Sequence, residues 1–218
     1  MLYDLVMTVQ TSSSKKSPPK PYHHGDLRRE LLNAARKLLE ESNIAALSLR
    51  QVARKVGVSH TAPYRHFPDK ESLLAGIVAV GLEKLTEQME QAVELHPDDP
   101  AAQLQEAGRR YVQLALENPQ CTQLMFGGIL PCDETYPELN EASGKAFDGL
   151  RMMIEQGQSS GVFKQGDVEL LALTAWSGMH GLSLLLISGD LSEIVSLPVE
   201  AQALTTAVTG MMLEGLLK

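Results

Sequence analysis

The sequence predicts an all-α protein, and three observations carry that reading. Apolar residues recur at three- and four-residue spacings along most of the chain, and runs of alternating β-branched residues are few. Glycine and proline fall mainly between the periodic segments, where they punctuate rather than interrupt.

The elements follow in order. Thr11 to Lys20, TSSSKKSPPK, is a Ser, Pro and Lys arm with nothing to bury. Leu27, Leu31, Ala34, Ala35 and Leu38 lie on one face of a first helix, which Ser42 and Asn43 end. Ser48 caps a second helix whose apolar positions are Leu49, Val52, Ala53 and Val56, and Gly57 stops it. Ser59 is expected to cap a short third helix reaching about His66. Pro68 closes that one, and Asp69 caps a long fourth helix to about Leu95. The run HPDDP is a loop, and further helices are expected near 101–117, 119–127, 137–160, 167–188 and 198–217.

The chain has 218 residues and a formal net charge of −8. The charge is divided unevenly. Between Lys15 and Lys70 there are twelve basic residues and five acidic ones, whereas residues 71–218 carry seven basic and 21 acidic. A basic module on an acidic body is the distribution expected when one end faces a polyanion and the other is kept away from it. Cys121 and Cys132 are the only cysteines, too few for a disulfide framework, and a cytoplasmic protein is expected. Leu170 to Ile187 lacks a charged side chain. Its Thr, Ser, Gly and His content, and flanking acids without a basic anchor, favour a helix buried in a bundle over a membrane span. The domain plan is a basic arm at 1–21, a helix-turn-helix unit at 22–70, and a body at 71–218.

The segment SLRQVARKVGVSHTAPYRHFPDKESLL has the parts of a helix-turn-helix. The second helix packs on the first through Val52 and Val56, Gly57 permits the tight turn, and Val58 fills the core beneath it. The third helix would then present its N-terminus outward, with His60, Thr61, Tyr64, Arg65 and His66 as hydrogen-bonding side chains. Pro63 is tolerated if Ser59 is the cap, because the proton it lacks would serve only the first helical bond. Phe67 is read as core.

This stretch, from about Gly25 to Leu74, resembles the DNA-binding domain of the TetR/AcrR family of transcriptional regulators. The resemblance rests on the LRQVARKVGVS core and the YRHFPDKESLL ending, with Tyr64, His66, Phe67, Lys70 and Leu73 at matching places. It implies that Tyr64, His66 and Lys70 hold phosphates, while Arg50, His60 and Thr61 reach phosphates or base edges. Ser48, Ser59 and Arg65 complete the set expected at DNA.

The body contains AWSGMHGL, residues 175–182, and LMFG, residues 124–127. Together they resemble the C-terminal domain of a TetR subset named for its Trp-His-Gly motif, on Trp176, His180 and Gly181. His180 is either a satisfied core histidine or part of an effector pocket. Pocket candidates are Tyr111, Leu124, Met125, Phe126, Met152, Met153, Phe163, Trp176 and His180, although core packing explains the same residues. The family resemblance implies that the last two long helices pair with their symmetry mates. The candidates there are Leu170, Thr174, Ser177, Gly178, Gly181 and Leu185 on one helix, and Leu204, Ala207, Val208, Met211 and Met212 on the other.

No glycine-rich phosphate loop, nucleophile elbow or His-Glu-x-x-His appears, and the histidines and cysteines lack metal-ligand spacing, so neither catalysis, metal nor cofactor is expected. The expected partners are double-stranded DNA, a second copy of the chain and an unidentified small-molecule effector, with no membrane. The expected function is a homodimeric repressor that binds a palindromic operator and is released by that effector. An activator, or a DNA-binding or interaction protein that answers to no ligand, is the alternative.

Overall fold

The computed structural model describes residues 27–126, 130, 135–189, 191 and 200–217. The expected basic arm lies outside the described residues, as do Cys132 and the side chain of Phe126. Eight α-helices are present among the described residues: α1 (Leu27–Glu41), α2 (Leu49–Val56), α3 (Lys70–Leu95), α4 (Pro100–Glu117), α5 (Pro119–Phe126), α6 (Pro137–Ser159), α7 (Val168–Ser188) and α8 (Ala201–Leu216).

The helix ends follow from local chemistry. Ser48 accepts the Gln51 N–H at the start of α2. At its other end Gly57 adopts φ 83°, and the N–H groups of Gly57 and Val58 both reach the Ala53 carbonyl. Asp69 caps α3 through the Ser72 N–H at 2.7 Å, and Asp99 and Asp167 cap α4 and α7 in the same way.

One expected element differs. Residues 59–66 form turns and a single 3₁₀ turn, Pro63–Arg65, instead of a capped α-helix. The Ser59 hydroxyl lies 3.2 Å from that of Thr61 and caps nothing. Pro63 opens the 3₁₀ turn, where its missing proton has no role, and its ring is buried. The proline thus sets the start of the regular structure.

α3 is the hub. Its first third, Leu73 to Ala79, is buried on all sides, against α1 above and α4, α5 and α6 below. Leu31, Ala35 and Val52 at 0% exposure, with Leu73 and Phe67, form the core of the helix-turn-helix end. Further down, Glu106 of α4 pairs with Arg109 and Arg110, and Arg110 reaches across to Gln88 and Gln91 of α3 at 2.8 and 2.7 Å. These donors hold the Glu106 carboxyl well below its ordinary range, at about 2.

A second core lies at the far end of the body. Phe163, a pocket candidate from the sequence, is fully buried there with Leu104, Ile154, Ala172, Leu213 and Leu216. Its ring rests on the backbone of Gly157, where an added β-carbon would overlap it. The chain end is tied to the same place, since the Lys164 N–H donates to the Leu216 carbonyl at 2.7 Å.

Gly157→Ala is therefore expected to cost about 1–3 kcal/mol by overpacking. Urea denaturation measures it: the midpoint falls while the slope is unchanged.

Candidate nucleic-acid interface and ligand cavity

Two sites emerge, one at the N-terminal end of α3 and one along its length. The first is the exposed rim of the helix-turn-helix. Buried Pro63 and Phe67 pin the reading turn to the core, and between and before them Ser59, His60, Thr61, Tyr64, Arg65 and His66 all face outward. Arg50 and Arg54 of α2 are exposed beside them. Lys70, at the first turn of α3, is half-buried and donates to the Ala45 carbonyl at 3.2 Å, with two further protons to offer. Ser48 is already engaged at both hydroxyl functions by Gln51, so its role is to cap α2. Of the acids nearby, Glu41 pairs with Lys55 at 2.6 Å, and the Asp69 carboxylate stays ionised but is turned into its cap, where it accepts from Ser72. The rim offers cations and hydroxyl, phenol and imidazole groups suited to phosphates and base edges.

Phe67 seats this rim on the body. Its ring lies against Gly76 of α3, where an added β-carbon would come 3.2 Å from the ring and 2.9 Å from Leu32. The Arg28 guanidinium stands 5.3 Å over the ring and pairs with Glu138 at the start of α6.

The second site is a cavity of about 480 Å³ between α3, α4, α6, α7 and α8. Val78, Leu82, Leu85 and Met89 of α3 form one wall, with Leu139, Ala146, Phe147 and Leu150 of α6 facing them. Among its described lining residues no Lys or Arg occurs, and polar groups come only from Tyr111, Asn140, Ser143, Trp176 and Thr209. Its size and apolar walls suit a small organic molecule.

Of the pocket candidates, Tyr111, Met125 and Trp176 line this cavity. Leu124 is buried in the core shared with α1 and α3, and Met153 is buried behind the cavity wall. Met152 is 66% exposed, on the opposite side of α6. His180 sits behind the wall. Its Nδ1 is 3.1 Å from the Tyr111 hydroxyl, and Trp176 hydrogen-bonds the same phenol. Indole can only donate, so the relay runs from Trp176 N–H to the Tyr111 oxygen and from the Tyr111 O–H to a neutral His180. Burial pushes the phenol up to about 12 and lowers the imidazole, so both stay neutral.

The apolar faces of α7 and α8 also divide. Leu170, Thr174, Ser177 and Leu185 of α7 and Ala207 and Met211 of α8 are exposed, Met211 at 71% and Leu170 at 62%, and Gly181 has open space at its β position. Gly178 and Met212, expected at a partner, face each other inside the protomer: a β-carbon at Gly178 would meet the Met212 sulfur at 2.7 Å. Met212 also lines the cavity, and Leu204 and Val208 pack half-buried on Val112, Met179 and Leu182. By length and composition α7 is the one described helix apolar enough to cross a membrane.

Comparison with known proteins names the family. Residues 31–77 match the family described as bacterial regulatory proteins, tetR family, and residues 104–211 match a tetracyclin repressor-like C-terminal domain, well over half of the chain between them. The chain belongs to the TetR family. A solved structure of a protein of unknown function from Rhodococcus sp. RHA1 is 34% identical, with TM-score 0.78 over 91% of this chain and 100% of that one. The TetR family transcriptional regulator PfmR from Thermus thermophilus is 25% identical, with TM-score 0.61 over 84% and 97%. The nucleoid occlusion factor SlmA of Marinobacter nauticus is 26% identical over 140 residues, 64% of this chain and 70% of that protein. The helix-turn-helix rim is thus the DNA-binding module of a TetR-family transcriptional regulator.

Sequence reasoning missed the α3 and α6 walls of the cavity. The signal available was α3 itself, whose stretch from Leu73 to Ala79 carries no polar side chain on any face and so needs neighbours all round.

The relay predicts a pH effect. Because the folded-state value of His180 is depressed, its contribution is present above the ordinary value of 6.5 and is lost as pH falls through the folded value. In thermal denaturation across this range, His180→Gln is expected to remove that part of the acid destabilisation; an unchanged pH profile would contradict the assignment.

Proposed function

We propose that the protein is a homodimeric, ligand-released repressor. The observation that carries this reading is a single helix, α3, with Lys70 of the DNA rim at its start and cavity-lining Val78, Leu82, Leu85 and Met89 along its length. A ligand that favours one position of α3 would bias the position of the reading turn by the same movement. Residues 22–70 are taken as the DNA-binding unit and residues 71–218 as the effector and dimerisation body. The Trp176–Tyr111–His180 relay supports a body of the Trp-His-Gly kind.

Dimerisation is inferred from the exposed apolar faces of α7 and α8, since contiguous apolar surface of this kind marks an interface. Two copies related by a two-fold axis would read a palindrome with half-sites about one helical turn apart, roughly 34–36 Å. Tyr64, His66 and Lys70 are assigned to phosphates, and Arg50, His60, Thr61 and Arg65 to the groove and its edges. A second reading is a DNA-binding protein that answers to no ligand; the likeness to a protein named as a nucleoid occlusion factor speaks for a role other than that of a repressor. Ligand binding decides between the two.

Two measurements test this reading. On the protein's own promoter fragment, Lys70→Gln should weaken all sequences alike and reduce the salt slope by about one, whereas Thr61→Val should cost about 1–3 kcal/mol on the cognate site only. Equal affinity of the wild type for promoter and random DNA would sink the repressor assignment. For the cavity, Trp176 is the only tryptophan and lines the wall, so energy transfer to the neutral dye N-phenyl-naphthylamine reports occupancy. Gly144 lines the cavity with open space at its β position. Gly144→Leu should weaken the dye about tenfold while raising stability by about 0.5–1 kcal/mol through helix propensity. Unaltered dye binding would place the dye elsewhere and remove the cavity from the account.

A further inference from the structure

Beside the central cavity lies a second, smaller one of about 240 Å³, at the junction of the DNA-binding end with the body. Asn33 and Arg36 of α1, Lys84 of α3, Tyr111 of α4 and Asn118 at its end, and Thr122 of α5 contribute its polar lining, and Cys121 of α5 lies on its wall. Leu85, Tyr111 and Met125 line both cavities. These three shared side chains part the two, and one of them is an unbranched methionine that can swing aside.

The two spaces differ in chemistry. The central one has no Lys or Arg among its described lining residues, whereas the smaller one has Arg36 and Lys84. Arg36 donates to Glu40 at 2.5 Å and to Asn118 at 3.3 Å, and so links α1 to the body. The Lys84 side chain makes no ion pair or hydrogen bond among the described residues. Burial pushes the Cys121 thiol up to about 11, so it stays neutral and adds no negative charge against an anion.

We propose that the effector is a single-tailed amphiphile whose apolar chain fills the central cavity and whose anionic head, a carboxylate or a phosphate, sits between Arg36 and Lys84. The proposal rests on the reading that the central cavity takes an effector, and it adds the chemical class and the route of the signal. An anionic head competes with Glu40 and Asn118 for Arg36, which loosens the link between α1 and the end of α4. α1 also carries Arg28 and Leu32, the side chains packed around Phe67 and Gly76. The head group therefore acts on the helix that positions the reading turn.

Isothermal titration of the full chain with straight-chain carboxylates of increasing length, the matching alkyl phosphates and the matching primary alcohols tests this. The anions are expected to bind at least tenfold more tightly than alcohols of equal length, and the stronger of the two anion series identifies the head. The double variant Arg36→Gln, Lys84→Gln should bring anion affinity down to that of the alcohol and leave the alcohol unaffected, while Arg36→Lys retains most of the anion preference. If alcohols bind as tightly as anions, or the double variant changes neither, the head-group site is overturned and the apolar cavity stands. If no amphiphile binds while N-phenyl-naphthylamine does, the amphiphile class is wrong and the cavity reading survives. If neither binds, both fail.

Discussion

Everything in this molecule depends on one joint, the seat of Phe67 on Gly76. The reading turn carries little regular structure of its own, and it is held by two buried residues, Pro63 and Phe67. Phe67 can be buried because α3 offers a glycine at the point of closest approach. A methyl group there would press on both the phenyl ring and Leu32. Above the ring stands Arg28, which is also tied to Glu138 of α6. Two helices, α1 and α3, thus meet on one aromatic side chain, with α6 tied in through Arg28, and the DNA rim is located by that joint.

α3, which carries the joint, runs uninterrupted for 26 residues and serves two environments in turn. Its first turns complete the core under the helix-turn-helix, and its middle forms a wall of the cavity. Such a helix has no hinge of its own: no proline interrupts it, and its glycines, Gly76 and Gly81, sit where neighbours pack close. Movement at the cavity is therefore expected to reach the reading turn as a rigid displacement. Several buried polar groups of the body are satisfied locally. Ser183, Thr205 and Thr209 are buried and return their hydroxyl protons to carbonyls one turn back, and the Trp176–Tyr111–His180 relay satisfies itself without a charge.

Much of this is legible in the sequence where local rules decide. Ser48, Gly57 and Asp69 announce their helix ends because capping is a property of a few consecutive residues. The reading turn is not the α-helix that a Ser59 cap implies, because Pro63, which that cap places inside the helix, in fact opens the regular turn. The cavity is only partly legible. Tyr111, Met125 and Trp176 can be named, but Phe163, Met153 and Leu124 are the same kinds of residue and belong to solid core. Periodicity tells which side of a helix is apolar, not whether the neighbour across the gap fills it. The inward turn of Gly178 and Met212 has the same cause: α7 is apolar on several faces, and only packing against α8 assigns each one.

The central claim is that α3 makes the DNA-binding end and the body one cooperative unit despite their separate family matches. Scanning calorimetry of the intact protein tests it most directly. The account predicts one endotherm, whose calorimetric and van't Hoff enthalpies agree for the cooperative species present, and which coincides with loss of the Trp176 signal. Two separated transitions, with the helix-turn-helix end melting before Trp176 reports any change, would contradict it.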